Sequence, residues 1–175
     1  MRLIFVDTET TGLSPNYGHR IVEIACVETI DGQLTGREFH QLVNPGRPIP
    51  PEVSDIHGIH DAMVQDKPRF EGIADALMAF VASGKAVMHN ARFDVGFLQA
   101  EFDRLGIGFS PLTNPDAVID SLPRFRSQHP GQRCTLSALC ERHGIALQGE
   151  EAWHGALDDA RMLARLWQQS GQQAC

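Results

Sequence analysis

A chain of 175 residues, of which 42% are hydrophobic and 21% charged, suffices for one domain with its own core and is not of disordered composition. No apolar run approaches the roughly 20 residues of a membrane span, and the apolar start of the chain ends at Asp7, too early for a signal peptide, so we expect a cytoplasmic protein without a membrane partner. The net charge is −7 at pH 7, and the chain lacks the excess of basic residues that is typical of a strong nucleic-acid binder. This charge is compatible with an acidic site that binds its ligand together with divalent cations.

Three segments with the composition of strands open the chain, at residues 2–6, 21–30 and 34–43. Asp31 and Gly32 between the second and the third are typical of a hairpin turn. These segments predict a three-strand meander. The segment 44–51 holds four prolines, which predicts a loop.

Helical and strand patterns alternate in the rest of the chain. Helices are predicted over residues 70–83, 91–105, 135–143 and 157–169, and short strands over residues 86–88 and 117–119. No repeat or linker divides the chain, so we expect a single domain over residues 1–175. A meander followed by alternating elements predicts an α/β or α+β domain of three layers with a mixed sheet. The four cysteines stand apart with no Cys-x-x-Cys pair, which favours neither a zinc site nor a disulfide scaffold.

Asp7 and Glu9 end the first apolar run. At positions i and i+2 of a strand they share one face, about 6.5–7 Å apart along the chain. Two such charges at the edge of a core need a compensating cation, and oxygen ligands suit Mg²⁺ or Mn²⁺. A solvated strand end before a Thr-Gly turn is the alternative interpretation.

Two further acidic segments lie later in the chain. Asp94 is in the first turn of a predicted helix, where an acid is favoured for structural reasons alone. His154 precedes the last predicted helix and Asp159 lies within it, again a pattern with an ordinary structural explanation. Together, however, four carboxylates and one histidine are the groups that two-metal phosphodiester hydrolysis requires.

The three segments resemble a known family. Asp7-Thr8-Glu9, Asp94, and His154 with Asp159 are similar to the three motifs of the DEDD superfamily of 3′–5′ exonucleases, in its histidine-containing branch, and their order and separation match over residues 2–168. The intervening segments 34–36, 57–59, 89–94, 120–122 and 154–157 are similar as well. The resemblance implies a ribonuclease H-like α/β fold, with a five-stranded mixed sheet flanked by helices on both sides. It also implies release of nucleoside 5′-monophosphates from 3′ ends of DNA, in proofreading or repair.

The resemblance further implies two divalent metal ions, Mg²⁺ or Mn²⁺. Asp7 would bridge both ions, Glu9 and Asp159 would hold the first, and Asp94 would support the second through water. His154 would be the general base. The residues implied to pack the terminal nucleotide are Thr10, Gly12, Ile59 and Phe93.

The implied partners are a single-stranded or frayed 3′ end of DNA and a DNA polymerase, with RNA or a small oligonucleotide as the alternative substrate. Residues 124–133 hold three arginines around a Pro-Gly turn, which indicates either a solvated loop or a contact with substrate phosphates. The tail, residues 168–175, lacks the apolar anchors of a clamp-binding peptide, so we expect a catalytic domain of a longer protein or a stand-alone exonuclease.

Two other functions are compatible with part of the same residue pattern. A haloacid-dehalogenase-type phosphatase also places an Asp after its first strand and an Asp-Asp pair late in the chain, but it needs a second Asp where Glu9 stands. A non-catalytic module that binds DNA ends or a polymerase is the other alternative, against which the five intact catalytic positions argue.

Overall fold

One five-stranded mixed sheet runs through the computed structural model, which describes residues 1–108, 110–145 and 155–172. Its strands are β1 (Arg2–Thr10), β2 (Ile21–Ile30), β3 (Gln33–Leu42), β4 (Lys85–Met88) and β5 (Val118–Asp120). The spatial order is β3-β2-β1-β4-β5, with β1 to β3 antiparallel and both β4 and β5 parallel to β1. The predicted meander and mixed sheet are confirmed.

Seven α-helices lie within the described ranges: α1 (Pro51–His57), α2 (Asp61–Val64), α3 (Ala74–Val81), α4 (Arg92–Arg104), α5 (Ser121–Gln128), α6 (Leu136–Arg142) and α7 (Ala156–Gln172). Two 3₁₀ turns occur at Pro15–Tyr17 and Phe70–Gly72. None of the helices in these ranges combines the length and apolar character needed to cross a bilayer.

Helices begin at the end of the proline-rich segment 44–51 and extend into the arginine-rich segment 124–133. The proline-rich segment ends in α1 because Pro51 stands at its first position, where a missing N–H costs nothing. The arginine-rich segment 124–133 begins inside α5, whose first turn is capped by the Asp120 carboxylate, which accepts a hydrogen bond of 3.0 Å from the Leu122 N–H. The helix predicted from residue 70 instead begins with a 3₁₀ turn and becomes α-helical at Ala74.

Both faces of the sheet are covered, as the alternation of side chains along β1 requires. Ile4 and Val6 belong to a buried cluster that includes residues of α3 and α4, such as Leu77 and Phe97. The opposite face, with Phe5, packs against residues of α5, α6 and α7. Within the described residues, the cysteines Cys26, Cys134 and Cys140 are buried and free.

The topology brings the acidic segments to one edge of the sheet. Because β1 and β4 are parallel, their carboxyl ends lie at the same edge, and α4 begins just after β4. Helix α7 packs across β1 and β2. The end of β1 and the first turns of α4 and α7 therefore converge.

Candidate active site

The first two carboxylates stand on the last part of β1. Asp7 pairs with Ala25 and Glu9 with Glu23 in the antiparallel ladder to β2, so β2 holds the part of the strand that carries both acids. Both side chains are half-buried. The strand continues through the motif to Thr10, so the solvated strand end is not what forms here.

Asp94 projects from the first turn of α4 and is 4% exposed. The hydroxyl of Thr8, between the two acids of β1, donates a hydrogen bond of 2.7 Å to Asp94 Oδ1. This contact ties α4 to β1 and holds the Asp94 carboxylate toward the end of the strand. An acid that only favoured the helix dipole would lie in solvent, so Asp94 has a further role.

Asp159 lies in the first turn of α7 and is half-buried. Its backbone N–H donates to the carbonyl of Gly155, the residue just before the helix. His154, the predicted general base, lies outside the described residues.

Burial and nearby negative charges raise the pKa values of three of these carboxyl groups. Burial raises the pKa of Asp7 well above its ordinary value, and the charges of Asp94, Asp159, Glu9 and Glu23 raise it further. Burial and the charges of Asp159, Glu23 and Asp94 raise the pKa of Glu9 to about 8. Burial also raises the pKa of Asp94, to about 7, against the hydrogen bond from Thr8. All the charges of described residues that shift the pKa values of Asp7 and Glu9 are negative, so within the described part of the chain no cation compensates these two carboxyl groups.

A fifth acid, Glu23 on β2, also lies at the site, and the sequence analysis did not predict it. It is 5% exposed; its Oε1 lies 2.6 Å from His40 Nε2, and its Oε2 accepts a hydrogen bond of 2.9 Å from the Ala156 N–H at the start of α7. A Cβ on Gly155 would lie 3.0 Å from the same carboxylate, so a glycine allows this close approach. The signal in the sequence was an acid inside an otherwise apolar run, Ile21-Val22-Glu23-Ile24-Ala25.

The donor set fits divalent cations. The carboxylate oxygens are hard ligands of the kind that Mg²⁺ and Mn²⁺ prefer, and their mutual repulsion is what bound cations would relieve. No three His, Cys, Asp or Glu side chains in the described ranges already form a metal-binding cluster. The carboxylates thus suit divalent cations by their charge and by their oxygen donors. Because they repel one another in the metal-free state, we expect the side chains to move closer together when ions bind.

Metal-free protein is expected to lose stability as the pH rises from about 4.5 to about 8, the ordinary and the raised pKa of Glu9. A carboxyl group with a raised pKa binds more protons in the folded than in the unfolded chain, so the free energy of unfolding falls with pH between the two values. Thermal melting in EDTA across this range measures the trend. Glu9→Gln should flatten the slope, and Mg²⁺ at pH 8 should raise the melting temperature by binding the ionised carboxylates. A slope unchanged in Glu9→Gln would contradict the prediction.

The predicted nucleotide-binding residues lie around this edge in different environments. The Thr10 hydroxyl donates a hydrogen bond of 2.7 Å to the carbonyl of Gly12, and a Cβ on Gly12 would lie 2.3 Å from the ring of His19, so any larger residue would have to displace that ring. Phe93 is half-buried and lines a cleft of about 570 Å³. Ile59 is 4% exposed and packs in a small cluster with Val22.

Two further histidines, His57 and His89, are built into the fold. The Nδ1 atom of His57 accepts a hydrogen bond of 3.0 Å from the Ile59 N–H, and the side chain is buried. His89 contacts the Ser121 hydroxyl at 2.9 Å and the Cys134 carbonyl at 2.7 Å. Burial lowers the pKa of both imidazoles.

Comparison with known proteins assigns the family. The family model described as exonuclease matches residues 4–167. The chain belongs to the exonuclease family. This match decides against the phosphatase alternative, and it agrees with the motif resemblance to the histidine-containing DEDD branch, whose members generally depend on divalent metal ions.

The exonuclease is similar to DNA polymerase III subunit epsilon from several bacteria. It is 43% identical to that of Rickettsia felis over 167 residues, 95% of this chain and 72% of the relative. It is 41% identical to that of Escherichia coli over 170 residues, 95% of this chain and 70% of the relative. The activity is that of a 3′–5′ exonuclease.

Solved structures agree with the fold. Exonuclease X in complex with 5′ overhanging duplex DNA has 31% identity and a TM-score of 0.75, over 98% of this chain and 92% of that one. The nuclease domain of 3′hExo, described as a DEDDh family member bound to rAMP, has 18% identity and a TM-score of 0.78, over 99% of this chain and 93% of that one. The predicted ribonuclease H-like arrangement is confirmed.

Proposed function

We propose that this exonuclease removes nucleotides from the 3′ end of DNA and acts as a proofreading enzyme. The observation that carries the proposal is the convergence of Asp7, Glu9, Asp94 and Asp159 at one edge of the sheet, where neighbouring negative charges raise the pKa values of Asp7 and Glu9. Similarity to the epsilon subunits and to Exonuclease X, which was solved with DNA, favours DNA over RNA.

Two Mg²⁺ or Mn²⁺ ions, when bound, would stabilise the charge that develops on the oxygens of the phosphodiester during displacement. Asp7 would contact both ions, Glu9 and Asp159 would hold the first, and Asp94 would support the second through water. The Thr8 hydroxyl holds Asp94 for this role. Glu23, bonded to the first residue of α7, holds the start of the helix that carries Asp159.

His154 would act as the general base. It would accept a proton from the water that attacks the terminal phosphorus, while the bond between that phosphorus and the 3′ oxygen of the shortened strand breaks. A nucleoside 5′-monophosphate would leave. Thr10, Gly12, Ile59 and Phe93 would position the terminal nucleotide, Phe93 by stacking from the wall of its cleft.

The same similarity favours a DNA polymerase as the protein partner and a bacterial cytoplasmic location. We treat residues 1–175 as one exonuclease domain, because the family model spans residues 4–167 without interruption.

A labelled-strand assay tests the proposal. With 5′-labelled single-stranded DNA and Mg²⁺ or Mn²⁺, we expect a ladder of progressively shorter strands that EDTA abolishes. A duplex with a mismatched 3′ end should be shortened faster than its matched counterpart, because the frayed end supplies a single strand. Internal cuts alone, activity in EDTA, or RNA as the strongly preferred substrate would contradict the proposal.

A further inference from the structure

The arginines of this acidic chain differ in whether a salt bridge compensates their charge. Five of them form salt bridges with Asp or Glu side chains: Arg2, Arg20, Arg37, Arg104 and Arg161. Arg92, Arg126 and Arg133 are exposed and form no salt bridge with any described residue. All three lie in two clefts that share Asn90 as a common wall. These three arginines thus place positive charge, uncompensated by any described acid, beside the start of α4.

The second cleft holds two of these arginines. It has a volume of about 530 Å³ and lies between α5 and the segment 132–136, with Arg126 and Arg133 among its walls. Leu122 and Leu136, both half-buried, add apolar surface. A guanidinium binds phosphate oxygens in a bidentate manner, and apolar surface beside it suits a sugar or a base.

Hydrogen bonds fix the shape of this cleft. His89 Nε2 lies 2.7 Å from the Cys134 carbonyl, which can only accept, so Nε2 carries the proton and Nδ1 accepts from the Ser121 hydroxyl. The imidazole therefore joins the first residue of α5 to the segment that carries Arg133. Since the two walls are linked, the two arginines are held at the same opening.

The cleft adjoins the carboxylate cluster. Asn90, with a left-handed φ of 66°, donates its N–H to Asp120 Oδ1 at 3.1 Å, and the same oxygen caps α5. Asp120 is also close enough to Asp94 to raise the pKa of that carboxyl. A strand whose 3′-terminal nucleotide lies at the carboxylates has all its other phosphates on the 5′ side.

We propose that the Arg126–Arg133 cleft binds backbone phosphates of the substrate strand on the 5′ side of the terminal nucleotide. The inference rests on the proposed function, because it takes the strand to end at the carboxylate cluster. It gives a protein of net charge −7 a local grip on single-stranded polynucleotide. It also selects between the two interpretations of segment 124–133, in favour of phosphate contact.

Binding and length dependence test the proposal. Equilibrium binding of a fluorescent 20-nucleotide oligothymidylate is measured by anisotropy in the Asp7→Asn background, with and without Arg126→Ala and Arg133→Ala. Each arginine removed should weaken binding about tenfold. It should also make the negative slope of log K against log[salt] less steep by about 0.7. Arg126→Lys with Arg133→Lys should keep the slope, because lysine keeps the charge. Arg69→Ala, an exposed arginine beside the Gly46 turn and outside both clefts, is the matched control.

Turnover of two substrates separates this proposal from the proposed function. Thymidine 5′-monophosphate p-nitrophenyl ester has one phosphodiester and no 5′ strand, whereas the 20-mer extends beyond the terminal nucleotide. The ratio of kcat/KM for the 20-mer to that for the ester should fall about 100-fold in the double alanine variant, through KM. Failure of the parent chain to cleave either substrate would overturn the proposed function, and the binding measurement would still decide the cleft. Unchanged affinity and salt slope, or an equal loss on both substrates, would overturn the cleft proposal.

Discussion

Asp7→Asn is expected to lower the exonuclease rate by about 1,000-fold or more, while the metal-free variant melts at or above the temperature of the parent chain. Asp7 lies next to four other carboxylates, all of which raise its pKa. Loss of a metal-bridging carboxylate removes several kcal/mol of transition-state stabilisation, and each 1.36 kcal/mol corresponds to about tenfold in rate. In the metal-free protein the same change removes repulsion from a crowded acidic site, which stabilises the fold.

Two measurements check this expectation: the initial rate over a titration of Mg²⁺ and Mn²⁺, and thermal melting in EDTA. Asp66→Asn, at an exposed position away from the cluster, is the matched control and should change neither. A metal-free melting temperature well below that of the parent would mean that Asp7 supports the fold, and the assignment of this site would then be wrong. Retention of more than about a tenth of the rate at saturating metal would equally contradict a bridging role.

The elements that the sequence predicted well are those with long or regular apolar patterns. The two strands around Asp31 and Gly32 could be placed because the turn type constrains the register of a hairpin. Helix α5 was missed because its apolar side chains are few, and because arginines and a Pro-Gly turn are also typical of a solvated loop. Its capping residue, Asp120, is also the last residue of β5, so one acid ends the strand and begins the helix.

The site was harder to predict than the fold, because its decisive contacts join residues distant in sequence. The hydrogen bond between Thr8 and Asp94 joins residues 86 positions apart in sequence, and the one between Glu23 and Ala156 joins residues 133 positions apart. Spacing alone made Asp94 an ordinary acid of a first helical turn. Only the packing of α4 against the end of β1 buries it among other carboxylates.

His154→Ala is expected to lower turnover by about 10²–10⁴-fold at saturating metal, with little change in metal affinity, because a general base typically contributes this much. The residues that follow position 154 lie at the site. Gly155 is next to the Glu23 carboxylate, and α7, which carries Asp159, begins at Ala156. The rate of the parent chain should fall toward acid pH with an apparent pKa near the ordinary value of histidine, about 6.5. Saturating metal is essential, because in metal-free protein Glu9, with its pKa raised to about 8, would also bind protons in that range.

Substitutions with different proton chemistry distinguish a base from a packing residue. His154→Glu should keep part of the activity and shift the acid limb to lower pH, since a carboxylate can accept a proton and has a lower ordinary pKa. His60→Ala, at an exposed histidine whose side chain does not cap α2, is the control and should leave the pH–rate profile unchanged. A residue that only packs or caps would lower the melting temperature of His154→Ala and spare kcat. Turnover within about threefold of the parent, with the fold intact, would refute the assignment, and another group would then have to accept the proton from water.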